Sequence, residues 1–492
     1  MQSLFVLSVF LIFTGSVLFS QEHESRYVPD PDPLVQAKLE QWQDLKFGLL
    51  MHWGTYSQWG IVESWSLCPE DYGWCERKKG TNPQNYFTYK QEYENLKTSF
   101  NPVHFNPEKW ANAAREAGMK YVVFTTKHHD GFCMFDTKET DYKITDQACP
   151  FHTHQRANVA KEIFDAFRKQ GLWAGAYFSK PDWHCEHYWF PYFPPLDRNV
   201  NYDPELYPER WEKFVQFTHN QIMELMTDYG KIDILWLDGG WVARKPADLI
   251  QASYDRKAGS TPSGFIKNRT VNQDIRMDEL VVKARQKQPG LIVVDRAVPG
   301  KNQNYLTPEN RVPEKELPYP WESCIIAGGS WSWIPDAKYM SGKEAIHTLV
   351  DIVAKGGNLL LNIAPGPDGT WHDGAYQLLQ EIGDWMKLNQ EAIYETRAVA
   401  PYKDGKVCLT QKKDRSVIYA IYLADENETK PPSRVWLNTI QPEENATATM
   451  LGVKGSLKWE KVGKGVVFEI PESIQQNPPG QYAWIIKILQ HQ

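Results

Sequence analysis

The residues most able to do chemistry stand at the ends of short apolar runs. In ILWLDGG, Asp238 directly follows four apolar residues, and Gly239 and Gly240 behind it let a ligand approach the backbone. A carboxylate leaving a core strand in this way points into a pocket; the plainer reading is that Asp238 caps the turn that follows. TTKHHDGF sets His128 and His129 together at the end of a second run. Neighbouring strand residues face opposite sides, so both imidazoles reach one pocket only if the strand has already bent into a loop. An adjacent His pair, here with Asp130, also suggests a metal-dependent hydrolase, but the pair itself stands in neither HxH nor HExxH spacing, and no metal or other cofactor is expected. FGLLMHWG supplies His52 and Trp53, and ESW supplies Glu63 and Trp65. Imidazoles and indoles at a pocket mouth suit a hydroxyl-rich ligand, although a satisfied structural histidine is an equal reading of His52.

Further along stand Asp295 and Arg296 in VVDRA, Glu309 in LTPE, and Trp321 and Glu322 in PWESC. Cleavage of a glycosidic bond needs two carboxyl groups, one ionised as nucleophile or base and one protonated as acid. The sequence offers Asp238 with either Glu309 or Glu322. An acid beside Trp321 and apolar neighbours has its pKa raised, which suits proton donation.

The elements that must hold these residues repeat one theme from about residue 42 to 362: a short β-branched or aromatic run, a polar end, then a helical pattern. That is the rhythm of βα units. Strands are predicted at 47–53, 121–126, 173–178, 232–237, 291–294 and 358–363, with helices at 107–117 and 160–170, the second closing at Gly171. No Gly-rich phosphate loop opens a helix, which disfavours a dinucleotide-binding sheet. The predicted fold is a (β/α) barrel resembling the TIM type, with its site at the C-terminal strand ends, followed by a small antiparallel β-sandwich. The expected boundaries are a signal peptide over 1–20, a catalytic barrel over 21–396 and a C-terminal β domain over 397–492. Residues 188–208 and 244–272, rich in Pro, Asp, Asn and Gly, are predicted to be long loops over the site.

Composition narrows the partners. The chain has 54 Lys+Arg against 61 Asp+Glu, a net charge of −7, which argues against nucleic acid or an anionic membrane. Twenty Trp make a sugar ligand easy to accommodate, though most aromatics simply fill cores. The opening MQSLFVLSVFLIFTGSVLFS reads as an export signal that lacks the usual basic start, so a periplasmic or extracellular location without a membrane span is expected. Cys68 and Cys75 are close enough in sequence to pair, and the odd total of seven leaves at least one thiol unpaired. Sequons begin at Asn268, Asn427 and Asn445.

Taken in order, FGLLMHWG, ESW, KHHDGF, ILWLDGG, PWESC and KGGNLLLNIAPGPDG resemble family 29 of the glycoside hydrolases, the α-L-fucosidases, over roughly residues 42–397. The resemblance implies a catalytic barrel with a C-terminal β-sandwich, no cofactor, and removal of terminal α-L-fucose from oligosaccharides or glycoconjugates with retention of configuration. It makes Asp238 the nucleophile. Family members place the acid/base in a WE-x-C motif, here Glu322, or in a TPE-like loop, here Glu309; the reading prefers Glu322. By the same resemblance His52, His128 and His129 bind the sugar hydroxyls, Trp65 and Trp236 line the pocket with Tyr177 as a further candidate, and Arg296 lies near the leaving group.

The chain also departs from the pattern. After PWESC it reads GGSWSWIP, with Trp331 and Trp333, where relatives carry SWGY, which leaves the leaving-group preference open. The aromatic stretch at 181–195 is read either as a specificity wall for the rest of a branched or polymeric glycan or as a packed lid. Two other functions stay in view: a variant of the same barrel acting on a related sugar such as α-galactose, and a catalytically silent glycan-binding protein. Two buried carboxyl groups are costly to keep for binding alone, which weighs against the second. The C-terminal domain is read as a packing module rather than a separate glycan binder. Oligomeric state is not legible.

Overall fold

Seven short strands are each buried along nearly their whole length in the computed structural model, which describes residues 27–70, 73, 75–260 and 269–490. They are β1 (Phe47–Met51), β2 (Tyr121–Lys127), β3 (Trp173–Ser179), β4 (Ile234–Asp238), β5 (Ile292–Asp295), β6 (Glu322–Ile326) and β7 (Asn358–Asn362). Runs such as LLM, YVVF and NLLLN have no solvated face, as parallel strands covered on both sides require. They pair in parallel in the order β5-β4-β3-β2-β1-β7-β6, a curled sheet with helices outside. Six of these strands match predicted ones to within two residues at each end; β6 was not expected.

The sheet does not close through a regular ladder between β5 and β6. The chain after β5 fills that seam with single bridges, Val294 to Gln303, Leu306 to Trp321 and Glu309 to Cys324. Helices are fixed by local chemistry. Asn106 caps Pro107–Glu116 by accepting from the Lys109 N–H, 3.0 Å, and Ser341 with Glu344 forms a reciprocal capping box on Gly342–Ala354. Gly171 ends Val159–Lys169 at φ +76°.

Two expectations need correction. Residues 244–272 are not all loop: Ala247–Ser260 is a helix whose only buried residue is Ser253, so it carries no apolar stripe for sequence to reveal. Cys68 and Cys75 are separate free thiols. The proposed export signal and Asn268 lie outside the described residues.

Beyond residue 396, β8 (Thr396–Asp404), β9 (Val407–Lys412), β10 (Val417–Leu423), β12 (Thr447–Met450) and β15 (Ala483–Leu489) form one antiparallel sheet. β11 (Arg434–Leu437), β13 (Lys458–Val462) and β14 (Gly465–Glu469) form a second. The sheets enclose their own core around Leu409, Val435, Phe468, Trp484 and Ile486. This unit docks on the barrel through His347 Nε2 at 2.9 Å from the Tyr482 carbonyl and the Trp385 indole donating to Ala483, 3.2 Å. Among the described residues no helix is long and apolar enough to cross a membrane.

Candidate active site

Asp238 is the last residue of β4, and its position depends on the glycine after it. Gly239 has φ +86°, and a Cβ there would stand 2.3 Å from Pro181 Cδ, so the LDG turn folds only with glycine. Asp238 Oδ1 accepts from the Gly239 N–H at 2.8 Å and from Arg296 Nη1 at 3.1 Å; Oδ2 accepts from the Tyr177 hydroxyl at 2.7 Å. Burial opposes ionisation, but Arg296, the hydrogen bonds from Tyr177 and Gly239 and, in acid where it is protonated, His129 outweigh it and hold this carboxyl well below the usual range. It is a fixed carboxylate.

The three predicted histidines converge on it. β2 ends at Lys127 after a register shift, and His128 and His129 follow in the turn, which lets both rings face one pocket at a centroid separation of 4.2 Å. His129 Nε2 lies 4.0 Å from Asp238 Oδ2. His128 Nδ1 meets the Ser64 hydroxyl, and His52 Nδ1 lies 2.9 Å from Asn362 Oδ1 at the end of β7. Burial drives all three below the ordinary 6.5, His52 and His129 to about 4, so the rings are neutral at physiological pH. Neutral imidazoles can each donate and accept, as sugar hydroxyls require. Ligand atoms of His128, His129 and Asp238 come within 4.8 Å of one another, a spacing a cation could bridge. Asp130, the third member considered from sequence, turns away and accepts from Tyr93 at 2.8 Å.

Aromatic rings wall the pocket. Trp65 stands edge-on to His129 at 5.1 Å, and Trp331 lies 5.4 Å from His52. Below Asp238 on the same strand face, Trp236 stacks on Tyr177 at 5.2 Å. Three contributors were not assigned to the site from sequence. Trp241, 5.1 Å from His129, directly follows ILWLDGG, while Ser64 lies inside ESW and Asn362 inside KGGNLLLNIAPGPDG, so each had a motif as its signal. Glu63 was noted only as part of ESW. It is buried, and burial first, then the nearby Glu309 and Asp238 charges, push its pKa up to about 8.

The two candidate acids are far from equivalent. Arg296 donates through Nη1 to Asp238 and through Nη2 to Glu309, which is half exposed on the seam between β5 and β6. Glu322, the acid preferred from sequence, is instead the first residue of β6, fully buried at the opposite end of the strand from the pocket. It accepts from the Tyr121 hydroxyl at 2.5 Å and the Trp236 indole at 3.3 Å, and burial raises its pKa to about 7. Trp321 is buried in the core beside it, donating to the Lys355 carbonyl at 3.3 Å.

Comparison with known proteins agrees with this geometry. The alpha-L-fucosidase family model matches residues 16–391, and the alpha-L-fucosidase C-terminal domain model matches 402–489. The tissue alpha-L-fucosidase of Homo sapiens is 28% identical, aligned over 99% of this chain and 96% of its own length. The alpha-L-fucosidase isoenzyme 1 structure from Paenibacillus thiaminolyticus superposes with a TM-score of 0.71 at 27% identity, covering 93% of this chain and 100% of that one. The Thermotoga maritima alpha-fucosidase in complex with fucose shares the fold, with a TM-score of 0.68 at 24% identity over 94% and 100% of the two chains. Taken over its whole length, this chain belongs to the alpha-L-fucosidase family of glycoside hydrolases.

Proposed function

We propose that the retaining hydrolysis of terminal α-L-fucose by this chain runs through Asp238 as nucleophile and Glu309 as acid/base. The observation that carries the assignment is Arg296, one guanidinium gripping both carboxylates at the pocket. Two carboxylates bridged in this way are close enough for the separation of about 5 Å that retaining pairs use. Glu322 is sealed in the barrel interior and serves the protein as a buried hydrogen-bond acceptor.

Glu309 takes up a proton from solvent as Arg296 leaves it; in the first step Asp238 attacks the anomeric carbon while Glu309 passes that proton to the departing oxygen. The glycosyl ester removes the negative charge of Asp238. Glu309, left ionised by that transfer, takes a proton from the water that attacks the anomeric carbon in the second step and frees Asp238. Arg296 is released from Glu309 as the sugar enters and stays on the nucleophile. His52, His128 and His129 hold the hydroxyls; Trp65, Trp236 and Tyr177 shape the wall against which the fucose methyl packs. Glu63, protonated near neutral pH, supplies a hydrogen-bond donor beside both carboxylates.

The natural setting belongs to the same proposal: export to a periplasm or the outside, a catalytic unit over 21–396 and a packing unit over 397–492. The test is a mechanism-based label. A bacterial fucosidase of the same fold was trapped as a covalent intermediate with 2-fluoro-fucosyl fluoride. The same reagent is expected to label the peptide carrying Asp238, and a label on any other carboxylate overturns the assignment. Chelator treatment is expected to leave turnover unchanged, since no step uses a cation.

A further inference from the structure

We infer that the exposed aromatic tip of the 181–208 segment is a second sugar site, which takes a neutral hexose several units along the glycan whose terminal fucose occupies the pocket. The inference rests on the fucosidase reading above and extends it. The segment follows β3, so it rises from the catalytic face of the barrel. Its aromatic rings begin at the pocket. Trp183 lies 5.2 Å from His129 and stacks on Trp189 at 5.2 Å with an interplanar angle of 9°. Past Trp189, Phe190 lies 5.3 Å from Tyr192 and 5.2 Å from Phe193, and Phe193 lies 6.0 Å from Tyr207.

This tip is built, not loose. The Trp189 indole donates to the Asn199 carbonyl at 2.9 Å, and the Asn201 side chain accepts from the Phe190 N–H and donates to the Phe190 and Phe193 carbonyls, 2.6 to 2.9 Å. Arg210 sits 3.6 Å over the Phe190 ring. Yet this fixed frame leaves Tyr192 84%, Leu206 74% and Tyr207 43% exposed. Rigid rings held in water offer a ligand contact area at little ordering cost. Beside them a groove of about 200 Å³ is lined by Glu205, Trp211, Glu212 and Arg276, which places charged partners for hydroxyls next to the tip.

Charge selects the occupant. Asp203, Glu205 and Glu209 are exposed around Leu206 and Tyr207, which disfavours phosphates and anionic lipid and leaves hydroxyls as the fitting partner. The tip rises from the barrel face that holds Asp238, which makes that partner the same glycan, reaching the tip several sugars from the fucose. In this inference only the exposed tip acts as a specificity wall, while Trp183, Tyr188 and Trp189 of the same stretch are packed core.

The test uses full-length Tyr192→Ala and Tyr207→Ala with an aryl α-L-fucoside and fucosylated oligosaccharides of increasing length. Expected is a KM raised about 3- to 10-fold on the long glycans at unchanged kcat, with no change on the aryl fucoside or a fucosylated disaccharide. An equal loss on all substrates, or none on any, overturns the inference. Titration of the defucosylated oligosaccharide, followed by tryptophan fluorescence, tests the tip without turnover. Binding weakened by Tyr192→Ala supports the site even if the catalytic reading fails, and the absence of binding to the parent protein overturns it. Concentration-dependent self-association abolished by Tyr192→Ala, without an effect on glycans, would assign the tip to a second copy of the chain and also overturn it.

Discussion

Asp238 and Glu322 are both carboxyl groups inside the same barrel, both touched by the same Tyr177–Trp236 stack or its indole, and they end in opposite states. At the C-terminal end of β4, Asp238 has a guanidinium, a hydroxyl and a backbone N–H aimed at it and stays ionised. At the N-terminal end of β6, Glu322 has hydrogen-bond donors but, among the described residues, no cation in contact, and burial lifts it from 4.5 to about 7. The motif around a carboxyl therefore says less about its role than the charge that the fold brings to it.

The largest break of this comparison is Asp238→Asn. Losing the nucleophile is expected to lower kcat by about 10⁴-fold or more, measured on an aryl α-L-fucoside. Tyr177→Phe comes next. It removes a hydrogen bond to a carboxylate worth about 1.5–3 kcal/mol, a roughly 10- to 100-fold loss in kcat/KM. Because Asp238 stays far below the histidines, whose protonation at about 4 sets the acid limb of the pH–rate profile, Tyr177→Phe is expected to leave that limb in place; a limb moved to higher pH would mean that Asp238 titrates there.

The smallest effect is on stability. Glu322 has a folded pKa raised above its ordinary value, so the stability of its protonated form is complete below pH 4.5 and is lost as pH rises through about 7. A shift of this size corresponds to of order 3 kcal/mol. Glu322→Gln cannot ionise, and its Tm is expected to fall by a few degrees less than that of the parent between pH 5 and 8, with kcat/KM changed less than tenfold. The buried histidines work in the other direction. Their depressed pKa values withdraw stability as pH falls from 6.5 toward 4, so the Tm of both proteins is expected to drop on the acid side.

Much of the pocket was legible because βα units expose their strand ends. Asp238, His52, His128 and His129 each follow an apolar run whose length matches a buried strand, and sequence periodicity locates such runs. Glu322 was preferred for its WE-x-C motif and for the apolar neighbours that raise its pKa; nothing local announces that a strand will begin on this carboxyl and bury it against Tyr121 and Trp236, residues 201 and 86 positions away. Glu309 suffered the converse: its partner Arg296 is 13 residues distant, and only the irregular seam between β5 and β6 brings them together. The helix Ala247–Ser260 escaped because a helix with one buried residue has no periodic signal.

Azide rescue tests the division of roles between Glu309 and Glu322 most directly. With an aryl α-L-fucoside of good leaving ability, Glu309→Gln is expected to stall at the glycosyl-enzyme and to be restored by azide, releasing α-fucosyl azide, while Glu322→Gln turns over without azide and gains nothing from it. Rescue confined to Glu322→Gln, with Glu309→Gln indifferent to azide, would contradict the account.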